Sequence, residues 1–326
     1  MIISRTPLRI SFVGGGSDID WFYKKTPGAV VTTAIDKYIY ITVNKKFDDK
    51  IRASYSKTEI VDSVRRIKHE LIREGLSLLG IDGGIEITSI SDIPSEGTGL
   101  GSSSSYTVGL LNALYANLGK HVSAEKLARE ACSIEIARLK KPIGKQDQYI
   151  SAFGGFEYLQ FNKDGSVFVD PVIMKKRKLQ ELQQSLLLFY TGITRTSDKI
   201  LREQKKEIKR NGYKRENMNK MVAFAKQARR ALNRNRLDDF GEILHHNWLL
   251  KKSLSDAISN EKIEAWYAKA RMKGAIGGKI CGAGGGGFLL LYASIEKQLA
   301  IRQALHELRF VPFTFEPQGS KIIYVS

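Results

Sequence analysis

Cysteine is scarce in this 326-residue sequence, and so are long hydrophobic runs. The two cysteines, Cys132 and Cys281, stand far apart within apolar segments, which argues against a disulfide framework or a cysteine-based metal site. No apolar run reaches the roughly 18 residues that would span a bilayer, and the first residues lack the long apolar segment of a secretory signal. These absences predict a soluble cytoplasmic protein that contacts no membrane.

Acidic residues are also comparatively few, since 34 aspartates and glutamates accompany 52 lysines and arginines and leave a formal net charge of +18. Such a surplus is compatible with nucleic acid, an acidic membrane or anionic small molecules as partners. Much of it lies in residues 202–236, where Glu203, Glu207 and Glu216 are interleaved with the bases. That interleaving is typical of a solvated helix face and disfavours a nucleic-acid footprint. A non-enzymatic nucleic-acid-binding protein stays the alternative from another class.

The segment 94–118 joins a glycine-rich loop directly to a helical pattern. Glycines in the loop have no Cβ, so the backbone can wrap closely around a ligand with its N–H groups pointing inward. Hydrophobic residues then recur at three- and four-residue spacing until Gly119, which predicts an amphipathic helix. Because the positive end of that helix would lie at residues 102–105, the junction predicts a phosphate site. A flexible Gly/Ser linker is the alternative.

Two carboxylates after this helix stand in unusual surroundings. Ser123 is a suitable N-cap for a helix to about Leu139, and Glu135 would share one face of that helix with apolar residues. A buried carboxylate is costly, so Glu135 should face a metal ion, a cation or a hydrogen-bond donor, with a salt bridge to arginine as the simplest case. Asp147 lies in a polar cluster between Pro142 and a Gly-Gly turn, where loops often carry chemistry.

The remaining patterns predict an α+β protein with two domains. Strands are expected at 8–13, 29–35, 38–44, 85–90, 156–161, 186–190, 288–293, 311–315 and 322–325, and further helices at 60–79 and 296–308. Asp36 and Lys37 would form a tight turn between the second and third of these strands. Long basic helices without strands follow residue 190 as far as about Lys273. This change of character places the boundary near 175–180, and we expect domains at 1–178 and 179–326.

Two familiar nucleotide-binding signatures do not apply. Gly282, Gly284 and Gly287 match G-x-G-x-x-G, but a strand follows them, whereas a dinucleotide fingerprint opens a helix. The P-loop sequence G-x-x-x-x-G-K-[ST] does not occur. Both the Rossmann dinucleotide site and the Walker-type NTPase are therefore disfavoured.

Three segments in a fixed order resemble the signatures of the GHMP family of small-molecule kinases, which includes galactokinase, homoserine kinase, mevalonate kinase and phosphomevalonate kinase. They are TPLRISFVGGGSD at 6–18, PSEGTGLGSSSS at 94–105 and KICGAGGGGFLLLY at 279–292. The resemblance spans nearly the whole chain. It implies an N-terminal domain like domain 2 of ribosomal protein S5, a ferredoxin-like C-terminal domain and an active site between them, with ATP and Mg²⁺ as cofactors.

Within that family, the opening segment is most similar to the bacterial D-glycero-D-manno-heptose 7-phosphate kinases. Galactokinases carry Glu-His before the Thr-Asp of the first motif, whereas this chain has Gly15 and Gly16 before Ser17 and Asp18. The resemblance implies transfer of phosphate from ATP to the anomeric hydroxyl of a small-molecule sugar phosphate. A kinase of L-fucose or another unphosphorylated sugar is the nearer alternative, because fucokinase-like enzymes also have a glycine-rich turn here. Oligomeric state and anomer stay open.

The resemblance also implies roles for individual residues. Asp147 matches the family's catalytic aspartate and Arg9 its basic residue near the transferred phosphoryl group, while Ser103 and Glu135 match positions that coordinate Mg²⁺ in mevalonate kinase-like relatives. The residues expected to bind the ATP phosphates are Gly97, Gly99, Leu100, Gly101, Ser102, Ser103 and Ser104. The residues expected to bind the substrate are Gly16, Ser17, Asp18, Lys37, Arg195, Gly284 and Gly285, with Lys145 and Lys199 as further bases for its phosphate.

Overall fold

Two β-sheets organise the chain in the computed structural model, which describes residues 1–94 and 97–326. The strands are β1 Ile2–Val13, β2 Gly28–Lys45, β3 Ile51–Ser54, β4 Thr58–Val61, β5 Ile85–Ser91, β6 Phe156–Phe161, β7 Val167–Pro171, β8 Leu186–Tyr190, β9 Gly277–Ile280, β10 Phe288–Tyr292, β11 Arg309–Phe310 and β12 Lys321–Val325. In the described residues, eight strands form the first sheet and four form the second.

Helices cover both sheets and form a separate group late in the chain. They are α1 Asp20–Tyr23, α2 Glu70–Leu79, α3 Ser102–Asn117, α4 Ala124–Cys132, α5 Gln146–Phe153, α6 Lys176–Gln184, α7 Ser197–Arg210, α8 Gly212–Asn233, α9 Leu237–Lys252, α10 Glu261–Met272 and α11 Ile295–Ala304. None of the helices within 1–94 and 97–326 is both long and apolar enough to cross a membrane.

The first sheet has the strand order β12-β1-β2-β5-β3-β4, and β6 and β7 continue from β2. Helix α3 lies against β1 and β2 on one side and against α2, α4 and α5 on the other. It is therefore buried around most of its circumference, so it is less amphipathic than its sequence pattern suggested. Gly109 permits the close approach, because a Cβ there would lie 2.6 Å from the hydroxyl oxygen of Thr6. This packing fixes the start of α3 beside β1.

The second sheet is antiparallel and has the order β11-β8-β10-β9. Followed along the chain, its elements run strand, helices, strand, strand, helix, strand, which is the βαββαβ order of a ferredoxin-like unit. The first crossover of this unit contains the basic helices α7 to α10, and, as the sequence predicts, no strand interrupts them in the described residues.

The last strand of the chain belongs to the first sheet. β12 pairs antiparallel with β1, with Ile2 opposite Val325, and just before it Glu316 donates its backbone N–H to the carbonyl of Ala34. The C-terminal segment thus returns from the second sheet to the first. The division into 1–178 and 179–326 stays a prediction, and the structure adds that residues 321–325 pair with its N-terminal part.

The tight turn predicted at Asp36 and Lys37 is wrong, because β2 runs through these residues without reversing. Both halves of β2 pair with β1, and the register shifts where Pro7 faces Tyr38 while Leu8 faces Ile35. The two residues therefore form an irregularity within one long strand. A bulge and a tight turn present similar short polar interruptions in a sequence.

Two other predicted elements are shorter than expected. The helix predicted at 60–79 begins only at α2, because residues 58–61 form a strand beside β3 and a 3₁₀ turn, Val64–Arg66, follows. His69 caps α2 by accepting a hydrogen bond from the backbone N–H of Ile72. The strand predicted at 311–315 reduces to a single bridge between Ile35 and Phe315, because β11 ends at Phe310, before this segment.

Candidate active site

A cleft of about 690 Å³ lies where the first sheet, the start of α3, α9 and the third glycine-rich motif meet. It is lined by most of the residues that the sequence singles out. These are Arg9, Gly16, Asp18, Gly97, Gly99, Gly101, Ser102, Ser103, Ser104, Asp147, Arg195 and Gly284. Ser95 and Glu96, which belong to the second motif, lie outside the described residues.

The loop before α3 depends on glycine for its backbone conformation. Gly97, Gly99 and Gly101 have φ values of 68°, 76° and 80°, in the left-handed region that disfavours side chains. The first hydrogen bond within α3 is donated by Ser105 N–H to the carbonyl of Gly101, at 3.0 Å. The N–H groups of residues 102–104 therefore precede the helical ladder, at the positive end of a 16-residue helix, and are available to an anion.

The third glycine-rich motif packs against this loop. A Cβ at Gly99 would lie 2.5 Å from the carbonyl oxygen of Cys281, and one at Gly287 would lie 2.3 Å from that of Thr98. Only glycines allow the two backbones to approach so closely. The third motif therefore supports the loop before α3, and Gly284 within that motif lines the cleft.

Arg9 and Asp147 form a bidentate ion pair at the floor of the cleft. The Nε and Nη2 atoms of Arg9 donate to the two carboxylate oxygens of Asp147 at 2.8 and 2.7 Å, and Nη1 donates to the carbonyl of Gly99 at 2.6 Å. The Arg9 side chain is 4% exposed and that of Asp147 is 23% exposed. Asp147 lies in the first turn of α5, in a segment expected from sequence to be a loop. One guanidinium thus joins the carboxylate to the glycine loop.

Asp18 is buried beside this pair. Its carboxylate accepts the backbone N–H groups of Gly16 at 3.0 Å and Gln146 at 3.2 Å. A Cβ at Gly144 would overlap this carboxylate, so only glycine allows the backbone at position 144 to lie against Asp18. Burial and then the charge of Asp147 raise the pKa of Asp18. Two carboxylates therefore lie near each other at one end of the cleft.

Glu135 is fully buried in a π-helical turn, Ser133–Arg138, that continues α4. The hydroxyl of Ser103 donates to its Oε1 and the amide of Gln148 donates to its Oε2, both at 2.7 Å. In the part of the chain that the structure describes, Glu135 has no ion pair within 4.0 Å, so the simple salt bridge considered from sequence is wrong. Burial raises the pKa of this carboxyl.

Several predicted residues do not line the cleft. Ser17 is buried and donates its hydroxyl to the carbonyl of Gly14 at 2.8 Å, closing the turn of the first motif. Leu100 is buried beneath the loop, where its carbonyl accepts the N–H of Arg9. Lys37 lies in the irregularity of β2, outside the cleft, and its ammonium pairs with Asp36 at 3.1 Å. The other predicted residues absent from the cleft wall are Gly285, Lys145, Lys199 and Glu135, whose carboxylate lies behind Ser103.

The structure adds two lysines that the sequence analysis missed. Lys141 lines the cleft and pairs with Glu70 at 2.9 Å. Lys251, on α9, also lines it and is only 3% exposed. In a chain with 52 basic residues, neither position carries a sequence signal of its own. The sequence feature that could have indicated burial of Lys251 is its place on the apolar side of a helical pattern.

Comparison with known proteins agrees with this arrangement. The family model for the GHMP kinases N terminal domain matches residues 60–155, and the model for the GHMP kinases C terminal domain matches residues 228–310. D-glycero-alpha-D-manno-heptose 7-phosphate kinase of Campylobacter jejuni is 32% identical over 98% of both chains. The bifunctional fucokinase/GDP-fucose pyrophosphorylase of Arabidopsis thaliana is 27% identical over 92% of this chain and 31% of that protein.

Among solved structures, a D-glycero-D-manno-heptose 1-phosphate kinase from Bacteroides thetaiotaomicron superposes with a TM-score of 0.83 and 25% identity over all of both chains. The chain therefore belongs to the GHMP kinase family, and its two-domain fold is the one expected from the three motifs. It is an ATP-dependent phosphotransferase that acts on a hydroxyl group.

Proposed function

We propose that this enzyme transfers the γ-phosphoryl group of ATP to the anomeric hydroxyl of D-glycero-D-manno-heptose 7-phosphate and forms the 1,7-bisphosphate. The observation that carries the chemistry is the cleft in which a phosphate loop, the Arg9–Asp147 pair and Asp18 lie together. The sugar is inferred from the heptose 7-phosphate kinase that is similar over nearly the whole chain. The glycine turn before Asp18 fits a sugar acceptor but does not distinguish a sugar phosphate from an unphosphorylated sugar.

ATP is expected at the loop 97–104, where its phosphates would accept the N–H groups at the start of α3. Phosphoryl transfer requires mainly that the reactants are held in line and that charge on the transferred group is neutralised. Asp147 would face the acceptor hydroxyl, because each carboxylate oxygen that accepts from Arg9 still has lone-pair capacity for another donor. The hydroxyl proton would move to Asp147 as the hydroxyl oxygen attacks the γ-phosphorus, the bond from that phosphorus to the β–γ bridging oxygen would break, and ADP would leave. Arg9 would stabilise the transferred charge.

Ser103 and Glu135 fit a site for Mg²⁺. Their hydrogen bond places a hydroxyl and a buried carboxylate at the helix start, and oxygen ligands of this kind suit Mg²⁺. No group of three or more His, Cys, Asp or Glu residues within 1–94 and 97–326 could hold a metal by itself. Mg²⁺ commonly takes few protein ligands and completes its shell with phosphate and water. When bound, it would neutralise charge on the ATP phosphates.

We expect Glu135→Gln to raise the thermal stability of the ligand-free protein and to weaken its response to Mg²⁺. The substitution removes a buried charge but keeps a group that can hydrogen-bond with Ser103 and Gln148. Because burial raises the pKa of Glu135, the wild type loses stability as pH rises from the ordinary value of 4.5 toward that raised pKa. The gain in Tm should therefore grow across this pH window, which Tm measured against pH will show.

Glu130→Gln on α4 is the matched control, because Glu130 is partly exposed and pairs with Lys126 at 2.7 Å. This control should show neither the gain in Tm nor a changed Mg²⁺ titration of activity. A Glu135→Gln enzyme with an unaltered Mg²⁺ titration would contradict the metal role. A lower Tm in that variant would contradict the charge argument.

The substrate is tested by measuring ATP-dependent ADP release with a panel of acceptors. The panel contains D-glycero-D-manno-heptose 7-phosphate, the same heptose without phosphate, L-fucose and D-galactose. We expect the highest kcat/KM with heptose 7-phosphate. L-fucose is included because the similar Arabidopsis protein is a fucokinase. Preference for L-fucose, or for any unphosphorylated sugar, would overturn the proposed substrate while leaving the phosphotransferase class in place.

A further inference from the structure

Helix α9 contacts the glycine turn of the first motif through two buried side chains one helical turn apart. The side-chain oxygen of Asn247 accepts the N–H of Gly14 at 3.2 Å. The ammonium of Lys251 donates to the carbonyl of Gly15 at 3.3 Å and to the side-chain oxygen of Gln204, on α7, at 3.2 Å. Lys251 is thus held at the cleft wall by the glycine turn and by a side chain of α7.

Lys251 has no carboxylate within ion-pair distance among the described residues, although it is 3% exposed. A buried ammonium without a counter-ion is costly unless a ligand supplies the negative charge. Burial and then the charge of Lys279 lower the pKa of Lys251 to about 7. Lys279 is itself buried, donates to the carbonyl of Ser11 at 2.8 Å and has no ion pair in the described part of the chain.

The charges at this end of the cleft are unequal. Arg9, Lys279 and Lys251 are the basic groups here, and among the described residues the carboxylates whose charge acts on them are those of Asp18 and Asp147. Arg9 and Asp147 satisfy each other, as their bidentate geometry shows. The remainder is two lysines against one carboxylate. Because the pKa of Lys251 is lowered to about 7, an anion bound beside it would also favour its charged form. An anionic ligand would therefore balance this region.

The position of Lys251 separates it from the groups that face ATP. A Cβ at Gly16 would lie 3.4 Å from the Lys251 ammonium, and the N–H of Gly16 binds Asp18, which is a proposed acceptor contact. The N–H groups proposed to bind ATP lie at the start of α3, whereas Lys251 lies on α9 against the glycine turn of the first motif. The lysine is therefore placed with the acceptor rather than with the nucleotide.

We propose that Lys251, held by Gln204, binds the phosphate that the sugar substrate already carries and so makes the enzyme specific for phosphorylated acceptors. This inference rests on the proposed function in one respect, namely that the acceptor is a sugar phosphate. Lys251 takes the role that the sequence led us to expect for Lys37, Lys145 and Lys199, none of which lines the cleft. Arg195, which does line it, is exposed and lies beside the glycine loop.

The first test compares the Kd values of heptose 7-phosphate and unphosphorylated heptose for the wild type and Lys251→Met by calorimetry. Loss of one hydrogen-bonded charge contact should raise the Kd of the phosphorylated sugar about 10- to 100-fold relative to that of the unphosphorylated one. Lys252→Met is the control, because Lys252 is the next residue on α9, pairs with Glu264 and does not line the cleft. Equal weakening of both sugars, or of neither, would overturn the proposal.

The second test uses Gln204→Glu, which keeps Lys251 but gives it a carboxylate in place of the amide oxygen it contacts now. A permanent partner would compete with the substrate phosphate, so the KM for heptose 7-phosphate should rise while Tm is kept or increased. A merely structural role of Lys251 predicts an unchanged KM in this variant. A rise in the KM for ATP instead would assign Lys251 to the nucleotide and contradict the proposal.

Failure of the proposed substrate and failure of this inference give different results. If the wild type does not use heptose 7-phosphate but uses another phosphorylated sugar, such as a hexose 6-phosphate, the same two variants are measured with that sugar. The inference then stands or falls by the same loss of selectivity for the phosphate. If the wild type prefers an acceptor without phosphate, the inference is wrong even though the enzyme is a kinase.

Discussion

Asp147→Asn is expected to lower kcat by about two to four orders of magnitude, the range associated with removal of a general base. Asparagine retains one oxygen for Arg9 but cannot take the proton from the acceptor hydroxyl. The glycine loop and the start of α3 are untouched, so the Kd of Mg-ATP should stay nearly the same. Single-turnover measurement of the chemical step, together with nucleotide binding, separates these two quantities.

Asp147→Ala extends this prediction to stability. It removes both oxygens that Arg9 contacts and leaves a guanidinium that is 4% exposed without its partner, so we expect a lower Tm as well as the loss of activity. Asp20→Asn is the control, since Asp20 is an exposed aspartate paired with Lys24 at 3.4 Å. Normal turnover by Asp147→Asn would contradict the role given to this residue.

Arg9→Lys is expected to lower kcat by about 10²- to 10³-fold, the range seen when one donor that stabilises a transition state is lost. A lysine cannot hold both oxygens of Asp147 and the carbonyl of Gly99 at the same time, because it lacks the planar fork of arginine. The KM for ATP should rise too, since the loop loses the side-chain hydrogen bond that links Gly99 to β1. This joint effect on kcat and KM distinguishes Arg9→Lys from Asp147→Asn.

Arg5→Lys provides the matched control for Arg9→Lys. Arg5 lies on the same strand and pairs with Glu316 at 3.6 Å, but it does not line the cleft. Its substitution should leave kcat and the KM for ATP close to their wild-type values. If Arg9→Lys behaved like Arg5→Lys in both parameters, Arg9 would have a structural role only.

The glycine-rich loop before α3 and helix α3 itself could be predicted from sequence, because glycine conformation and helical periodicity are local properties. A left-handed φ needs no tertiary information, and neither does the start of a helix directly after it. Glu135 was also identifiable, since an acidic residue among apolar neighbours must find a partner. What the sequence could not supply was the identity of that partner. Ser103 and Gln148 approach Glu135 from two other helices, α3 and α5.

The wrong predictions at 36–37 and 58–61 and the absence of Lys251 from the predicted site have the same cause: each depends on contacts between segments that are distant in sequence. Asp36 and Lys37 resemble a turn until β1 is known to pair with both sides of them. The 58–61 strand exists because β3 lies beside it, although its sequence continues a helical pattern. Lys251 was missed for the same reason, since its burial depends on the glycine turn of β1 and on Gln204 from α7. Charge alone cannot select one lysine among so many.

We propose that the enzyme phosphorylates the anomeric hydroxyl of a sugar phosphate in this cleft. The most direct test is ³¹P NMR of the products formed by the wild-type enzyme from Mg-ATP and D-glycero-D-manno-heptose 7-phosphate. We predict stoichiometric ADP and a second sugar phosphate signal that is coupled to the anomeric proton. Phosphate at any other position, or ATP hydrolysis without a new sugar phosphate, would contradict the account.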